Sequence, residues 1–318
     1  KIVKQHQQDA ITLAIGDGGN DVSMIMEAHI GIGLYGEEGI SAVQASDFAI
    51  GEFQCLRRLL LFHGRSNSNR ISQMILYFFY KNFVFTITHF FFAFHCLSSG
   101  QTIIDDWFIT FYNLVFTAFP LAIQACSDFD IREKDGELVE EMLPFLYKES
   151  RDDPLFCLSA FLGSLIKGLC FGALNFYFLC VSTSLTPVNV NGKNENLWFS
   201  SLVLYTNIIL SVSCSLLLNV RFLVYLLPLV MFVSSWGIYF CFCIYVHYFN
   251  QFNSFASIIG SFQSGMFYLN LLLLNGLCFV LDYAIESKKF LFNKSMMTVM
   301  MDLFNRNLLN DVDAYPEI

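Results

Sequence analysis

Charge is what this chain has least of. Only 14% of its 318 residues are Asp, Glu, Lys or Arg, while 55% are hydrophobic. A soluble protein carries about 25% charged residues, so composition excludes an ordinary water-soluble domain. The 36 Phe exceed what one globular core needs. They fit a surface that faces lipid, where an apolar side chain need not hide from water. A net charge of −9 would argue for solubility elsewhere, but here the location of each charge matters more than the sum. Metal-ligand spacing is also missing among the ten Cys, and Cys96, Cys126, Cys157, Cys170, Cys180, Cys214, Cys241 and Cys243 lie in or beside apolar stretches. They read as small apolar membrane residues rather than a zinc site or a disulfide framework. An initiator Met and a signal peptide are lacking too; the sequence opens mid-element at "KIVKQH" and reads as a piece of something longer.

What is present is a series of long apolar runs. A spanning helix needs about 20 predominantly apolar residues, and six segments qualify: 74–97, 103–126, 156–180, 197–219, 222–246 and 262–285. An even count puts both ends on one side, and Lys and Arg mark the cytoplasmic loops. Fifteen basic residues fall on one side, among them Arg57, Arg58, Arg65, Arg70, Arg132, Lys134, Arg221 and Lys288, against Lys193 alone on the other. Both termini of the segment are therefore expected in the cytoplasm, with loops 98–102, 182–196 and 247–261 outside it.

Two lysines are left inside spans. A charge at bilayer depth costs at least ~2.5 kcal/mol. Lys81 lies two turns into the first span, beside Asn82 and with Asn113 available in the second; the bland alternative is that it snorkels to the interface. Lys167 sits near mid-span among Gly163, Gly168 and Gly172, a spacing of small residues that predicts close helix packing and a structural role. Carboxylates are scarce here. The first two spans hold no interior Asp or Glu, with Asp105 and Asp106 at the outer entrance and Asp128 at the inner exit. A cation pathway needs oxygen ligands at mid-membrane, and the intramembrane charge has the wrong sign for one.

The front of the chain differs in kind. "ITLAI" suits a buried strand, "GDGGND" turns the chain, "DVSMIMEAH" has helical spacing, and "IGIGL" is a second strand. Strand, acidic turn, helix, strand is the order of a parallel α/β sheet, whose sites form at the carboxyl ends of strands. Asp17, Asn20 and Asp21 fall there. Magnesium takes carboxylate oxygens plus substrate phosphate. Asp17 can supply one such oxygen, Asn20 can donate to a phosphate, and Asp21 can orient a lysine or a water. The bland alternative is an Asx turn in which Asp21 merely caps the helix.

"GDGGNDVSMI" resembles the GDGxND hinge motif of P-type ATPases, and "AHIGIGLYGEEGISAVQASDFAI", "RLLLFHGR", "YFFYKN" and "YNLVFTAFP" continue the likeness in order. Together they resemble the type IV branch, the phospholipid flippases, specifically through about residue 125 and by hydropathy beyond it. The resemblance implies an α-helical transmembrane bundle of six spans, the family's fifth to tenth, preceded by the C-terminal piece of an α/β haloacid-dehalogenase-like phosphorylation domain. The implied organisation is a phosphorylation domain at 1–52, a stalk at 53–73, spans over 74–285 and a cytoplasmic tail at 286–318.

Carried onto this sequence, the resemblance makes Asp17 the Mg²⁺ ligand, gives Asn20 contact with the phosphoryl group, and places Asp21 at the same metal site, holding its lysine. It makes Lys81, Asn82 and Asn113 the polar residues of lipid head-group passage. It implies Mg²⁺ and ATP, the latter bound mostly by other parts of the protein. The implied partners are a phospholipid substrate, the membrane and a two-span glycosylated accessory subunit of the cell-division-control-protein-50 family, with no nucleic acid. The implied setting is a eukaryotic plasma membrane or Golgi/endosomal membrane. Gly19 replaces a usual alanine, which should only loosen the turn.

The departures are larger. No DKTGT carries the phosphorylated aspartate, no GET-type dephosphorylation loop or nucleotide-binding domain is present, the first four spans are missing, and the motif lysine would precede Lys1. The fragment is thus expected to be inactive alone. Three readings stand: part of an ATP-driven flippase moving lipid from the outer to the cytoplasmic leaflet, a pseudo-ATPase scaffold or regulatory module without turnover, and a cation pump of a sister branch.

Overall fold

The computed structural model describes residues 6, 10–36, 40–127, 144, 146–148, 150–151, 155–185, 197–220, 229–230, 233–248 and 257–292. Two compact units divide the chain, residues 1–67 with 137–147 and residues 68–136 with 148–318.

In the first unit, β1 (Leu13–Gly16), β2 (Ile30–Leu34) and β3 (Phe48–Ile50) form a parallel sheet in the order β1-β2-β3. Helix α1 (Val22–Glu27) links the first two strands and α2 (Ser41–Gln44) the second pair. Ala14, Ile25, Ile32, Ala42 and Ile50 are buried between these elements. Just before the strands, Thr12 and His29 bond reciprocally: each backbone N–H donates to the other's side chain, at 3.0 and 3.2 Å. That pairing fixes which residue of β1 faces which of β2, so Gly16 ends one strand opposite Gly33 of the next. The segment read from sequence only as "SAVQASDFAI" is α2 followed by β3, with Asp47 accepting from the Gly31 N–H at 2.8 Å.

The second unit is helical. Helix α3 (Arg65–His95) is followed by α4 (Asp106–Cys126), α5 (Leu158–Leu185), α6 (Leu197–Asn219), α7 (Ile238–Tyr248), α8 (Ser257–Gln263) and α9 (Gly265–Phe292). Among the described residues, five helices are long and apolar enough to cross a membrane: those including α3, α4, α5, α6 and α9. The remaining expected span, 222–246, is described only in part, as a π turn at Val233–Gly237 running into α7. The basic loop around Arg132 and Lys134, the loop with Lys193, the Arg221 link and the tail beyond Phe292 lie outside the described residues.

Apolar on all sides, α6 is the hub: 72% of its most apolar window is buried, against 28% for the window in α9. A helix hydrophobic all round belongs inside a bundle, and the outer helices leave apolar faces for lipid. Buried tyrosine hydroxyls bond across helices to backbone carbonyls: Tyr77 to Val212 at 3.1 Å and Tyr205 to Phe108 at 2.9 Å. Asn275 of α9 donates to Asn207 of α6 at 2.7 Å. With little water to compete, such bonds fix helix pairs.

Pro120 lies inside α4 and cannot donate to the carbonyl four residues back, that of Phe116. Ser235 donates to that carbonyl instead, at 2.8 Å. Upstream, Tyr112–Phe116 is a π turn, and the Thr117 N–H reaches the Tyr112 carbonyl at 3.1 Å. The second span is therefore re-registered at its middle, where its polar residues lie.

The glycine expectation for α5 holds at two of three positions. A Cβ on Gly172 would sit 2.9 Å from Ile87 Cγ2 and from the Val84 carbonyl, and one on Gly168 would sit 3.1 Å from Phe83 Cβ. Gly163 has nothing within 4 Å, so it plays no part in that packing. Gly172→Leu in the full-length protein is expected to destabilise by about 1–3 kcal/mol by overpacking, lowering the melting temperature in detergent, whereas Gly163→Leu is not. Equal melting of the two variants would contradict the close α3–α5 approach.

Candidate functional site

The acidic loop follows β1 directly. Asp17 is exposed, Gly19–Asp21 forms a 3-10 turn closed by the Asp21 N–H on the Gly18 carbonyl at 3.2 Å, and α1 begins at Val22. Asp21 occupies the N-cap position of α1 yet its side chain makes no capping hydrogen bond. The capping alternative thus lacks its defining contact. Among the described residues, neither the Asp17 nor the Asp21 carboxylate has a hydrogen-bond or ion-pair partner.

Two glycines shape this corner. A Cβ on Gly16 would lie 2.3 Å from Asp21 Cβ, and one on Gly36, just past β2, would lie 3.1 Å from Asp17 Cβ. Each carboxylate therefore stands against bare backbone at the carboxyl edge of the sheet. Space and oxygen donors suit a hard divalent cation shared with a phosphate. Among the described residues no three His, Cys, Asp or Glu gather, so Asp17 and Asp21 could supply only part of a coordination shell. Gly19 has nothing within 4 Å, which fits a position that tolerates alanine.

The second site lies inside the helical unit. Lys81 is 1% exposed. Its ammonium donates to Asn113 Oδ1 at 3.1 Å and to Thr117 Oγ1 at 2.6 Å, both one turn apart on α4. It lies 5.3 and 5.7 Å from the Phe78 and Tyr112 ring centroids. The Tyr112 hydroxyl donates to the Lys81 carbonyl at 2.9 Å, and the Tyr112 ring stacks on Phe85 with centroids 4.3 Å apart. The snorkelling alternative would leave the head at the unit's surface, whereas here it is buried against Asn113 and Thr117. No carboxylate pairs with Lys81 among the described residues, and its third N–H has no partner there. Asn113 is exposed, so it stands between the buried ammonium and the unit's surface.

Asn82 does not join this cluster: its Oδ1 is buried without a hydrogen-bond partner among the described residues. Its place beside Lys81 in sequence puts it about 100° around the helix. Thr117 was missed in the sequence reading. The signal was available, since it falls four residues after Asn113 on the same helical face.

Two statements about carboxylates need correction. Asp105 is buried at 4% exposure, because it caps α4 and accepts from the Trp107 N–H at 3.1 Å. Asp282, in the last span, is 3% exposed and lies 2.5 Å from Lys167. The intramembrane charge is therefore not of one sign.

Residues 43–295 match the family described as the C-terminal region of phospholipid-translocating P-type ATPases. That match takes in Lys81, Asn113 and Thr117 and begins after the acidic loop. The chain is 38% identical over 223 residues to the human protein named probable phospholipid-transporting ATPase IM, covering 70% of this chain and 18% of that one. It is 44% identical over 177 residues to human phospholipid-transporting ATPase ID, covering 56% and 14%. Against mouse phospholipid-transporting ATPase IH it is 36% identical over 230 residues, covering 70% and 18%. The chain thus spans less than a fifth of the length of the curated relatives it matches.

Proposed function

The chain belongs to the phospholipid-translocating P-type ATPases, as part of their C-terminal region, and from that premise we propose that it carries the hinge of the phosphorylation site and the head-group contact of an ATP-driven flippase. In this reading a phospholipid moves from the outer to the cytoplasmic leaflet, and other parts of the protein supply the nucleotide site and the phosphorylated aspartate. The observation that carries it is the buried Lys81 ammonium, held by two neutral oxygens on the next helix and paired with no carboxylate among the described residues.

Such an ammonium keeps its charge available for an anion. A head-group phosphate or carboxylate arriving past exposed Asn113 can take the free N–H, and a dry setting strengthens the attraction relative to water. The same arrangement disfavours a cation pump, since a cation would meet like charge; of the buried carboxylates, Asp282 is already neutralised by Lys167 and Asp105 is engaged in capping α4.

In the first unit, Asp17 would ligate Mg²⁺, Asn20 would donate to a phosphoryl oxygen, and Asp21 would hold the site's lysine at the same metal site. The bound ion supplies neutralisation of charge on the transferring phosphoryl group. The carboxylates standing on bare glycine backbone, without a partner among the described residues, support these roles. The stretch containing them fits the C-terminal piece of a haloacid-dehalogenase-like domain, with residues 53–73 as its stalk. The basic asymmetry supports cytoplasmic termini and six spans. A plasma or Golgi/endosomal membrane and a two-span accessory subunit complete the proposal.

The test is transport by the full-length protein in sealed vesicles. Dye-labelled phospholipid placed in the leaflet away from the ATP-accessible face is expected to move to that face on ATP addition. Movement only in the opposite direction, or ATP hydrolysis that tracks a metal cation and ignores lipid, would sink the reading.

A further inference from the structure

Lys167 of α5 and Asp282 of α9 face each other at 2.5 Å, with side chains 15% and 4% exposed. The contact is a charge pair rather than an aligned hydrogen bond. The same ammonium donates to Ser215 of α6 at 2.8 Å and lies 4.6 Å from the centroid of the Tyr80 ring of α3. One cation therefore touches three neighbouring helices. Taking two charges out of water costs several kcal/mol per ion, which mutual attraction repays only in good geometry, and apolar side chains could pack these helices without that cost.

What the pair reaches next is informative. Tyr80 immediately precedes Lys81. Gly168, the residue after Lys167, brings the α5 backbone so close that a Cβ there would lie 3.2 Å from the Tyr80 carbonyl. From the other side, the Tyr112 hydroxyl holds the Lys81 carbonyl at 2.9 Å. The Tyr80–Lys81 turn is thus gripped between α5 and α4. A helix places successive side chains about 100° apart, so a modest rotation of α3 would carry the Lys81 ammonium away from Asn113 and Thr117.

We propose that Lys167, held by Asp282 and Ser215, is a positioning residue: through the Tyr80 ring it fixes the rotation of α3 and so the place of the Lys81 ammonium. This rests on the reading of Lys81 as the head-group contact. The full-length protein is assayed for phosphorylation from ATP and for lipid-stimulated dephosphorylation against lipid concentration. Lys167→Met is expected to raise the half-maximal lipid concentration roughly 10-fold with phosphorylation preserved. Lys167→Arg, which still pairs with a carboxylate and lies on an aromatic ring, restores the wild-type value. In a Lys81→Ala background, Lys167→Met adds no further shift, because the group it positions is gone.

Should the single variant fail to fold through its orphaned carboxylate, Lys167→Met with Asp282→Leu removes both charges and carries the same expected shift. Wild-type lipid dependence in either folded variant, or shifts of Lys167→Met and Lys81→Ala that multiply in combination, would overturn the proposal. Lys81→Ala with unchanged lipid dependence would instead overturn the head-group reading itself, which separates the two failures.

Discussion

Asp17→Asn in the full-length protein is expected to slow phosphoenzyme formation by about 100-fold or more while leaving expression and membrane insertion intact. The substitution keeps the size of the side chain, so its fit against Gly36 survives; what it removes is the charged oxygen proposed to ligate a divalent cation. In phosphoryl transfer, metal and positioning supply most of the catalysis, with little covalent chemistry left to the protein. Raising Mg²⁺ is expected to recover part of the rate. Gly19→Ala, at a position with nothing within 4 Å, serves as the neutral comparison. A normal rate with ordinary Mg²⁺ dependence in Asp17→Asn would mean that the loop is a turn and nothing more.

Lys81→Arg and Lys81→Ala are expected to raise the half-maximal lipid concentration for dephosphorylation by on the order of 10- to 100-fold, the worth of one hydrogen bond to a charged group. Phosphorylation from ATP should persist in both. Arg keeps the charge but not the fit: a planar fork cannot replace a compact ammonium that bonds Asn113 at 3.1 Å and Thr117 at 2.6 Å in a space 1% exposed. If Lys81→Arg shows wild-type lipid dependence, the ammonium merely braces two helices and is no contact for lipid.

The elements that sequence made legible share one property: their signal is local. Length and apolarity marked the spans now seen as α3, α4, α5, α6 and α9, and the alternation of glycine with Ile and Leu in "IGIGL" marked β2. The Lys81–Asn113 pairing was legible because few polar residues occur at that depth. Partners that depend on three-dimensional assembly were not. Asp282 is 115 residues from Lys167, and nothing in either neighbourhood names the other. Asn82 was paired with Lys81 through the family resemblance, and the structure sends the two neighbours to different faces of the helix. Asp105 was read as an outer-entrance residue, and that place is compatible with burial once its carboxylate is spent on the Trp107 N–H.

The bond from Ser235 to the Phe116 carbonyl has a kinematic consequence. Pro120 has deprived that carbonyl of its own helix's donor, and in hydrocarbon an abandoned carbonyl costs several kcal/mol. The middle of α4 and the turn Val233–Gly237 are therefore latched, and parting them would strand the carbonyl. In the proposed transport cycle these two segments are expected to travel together as one body. A gap that admits a lipid, in the proposed flippase, is then expected along some other seam of the bundle.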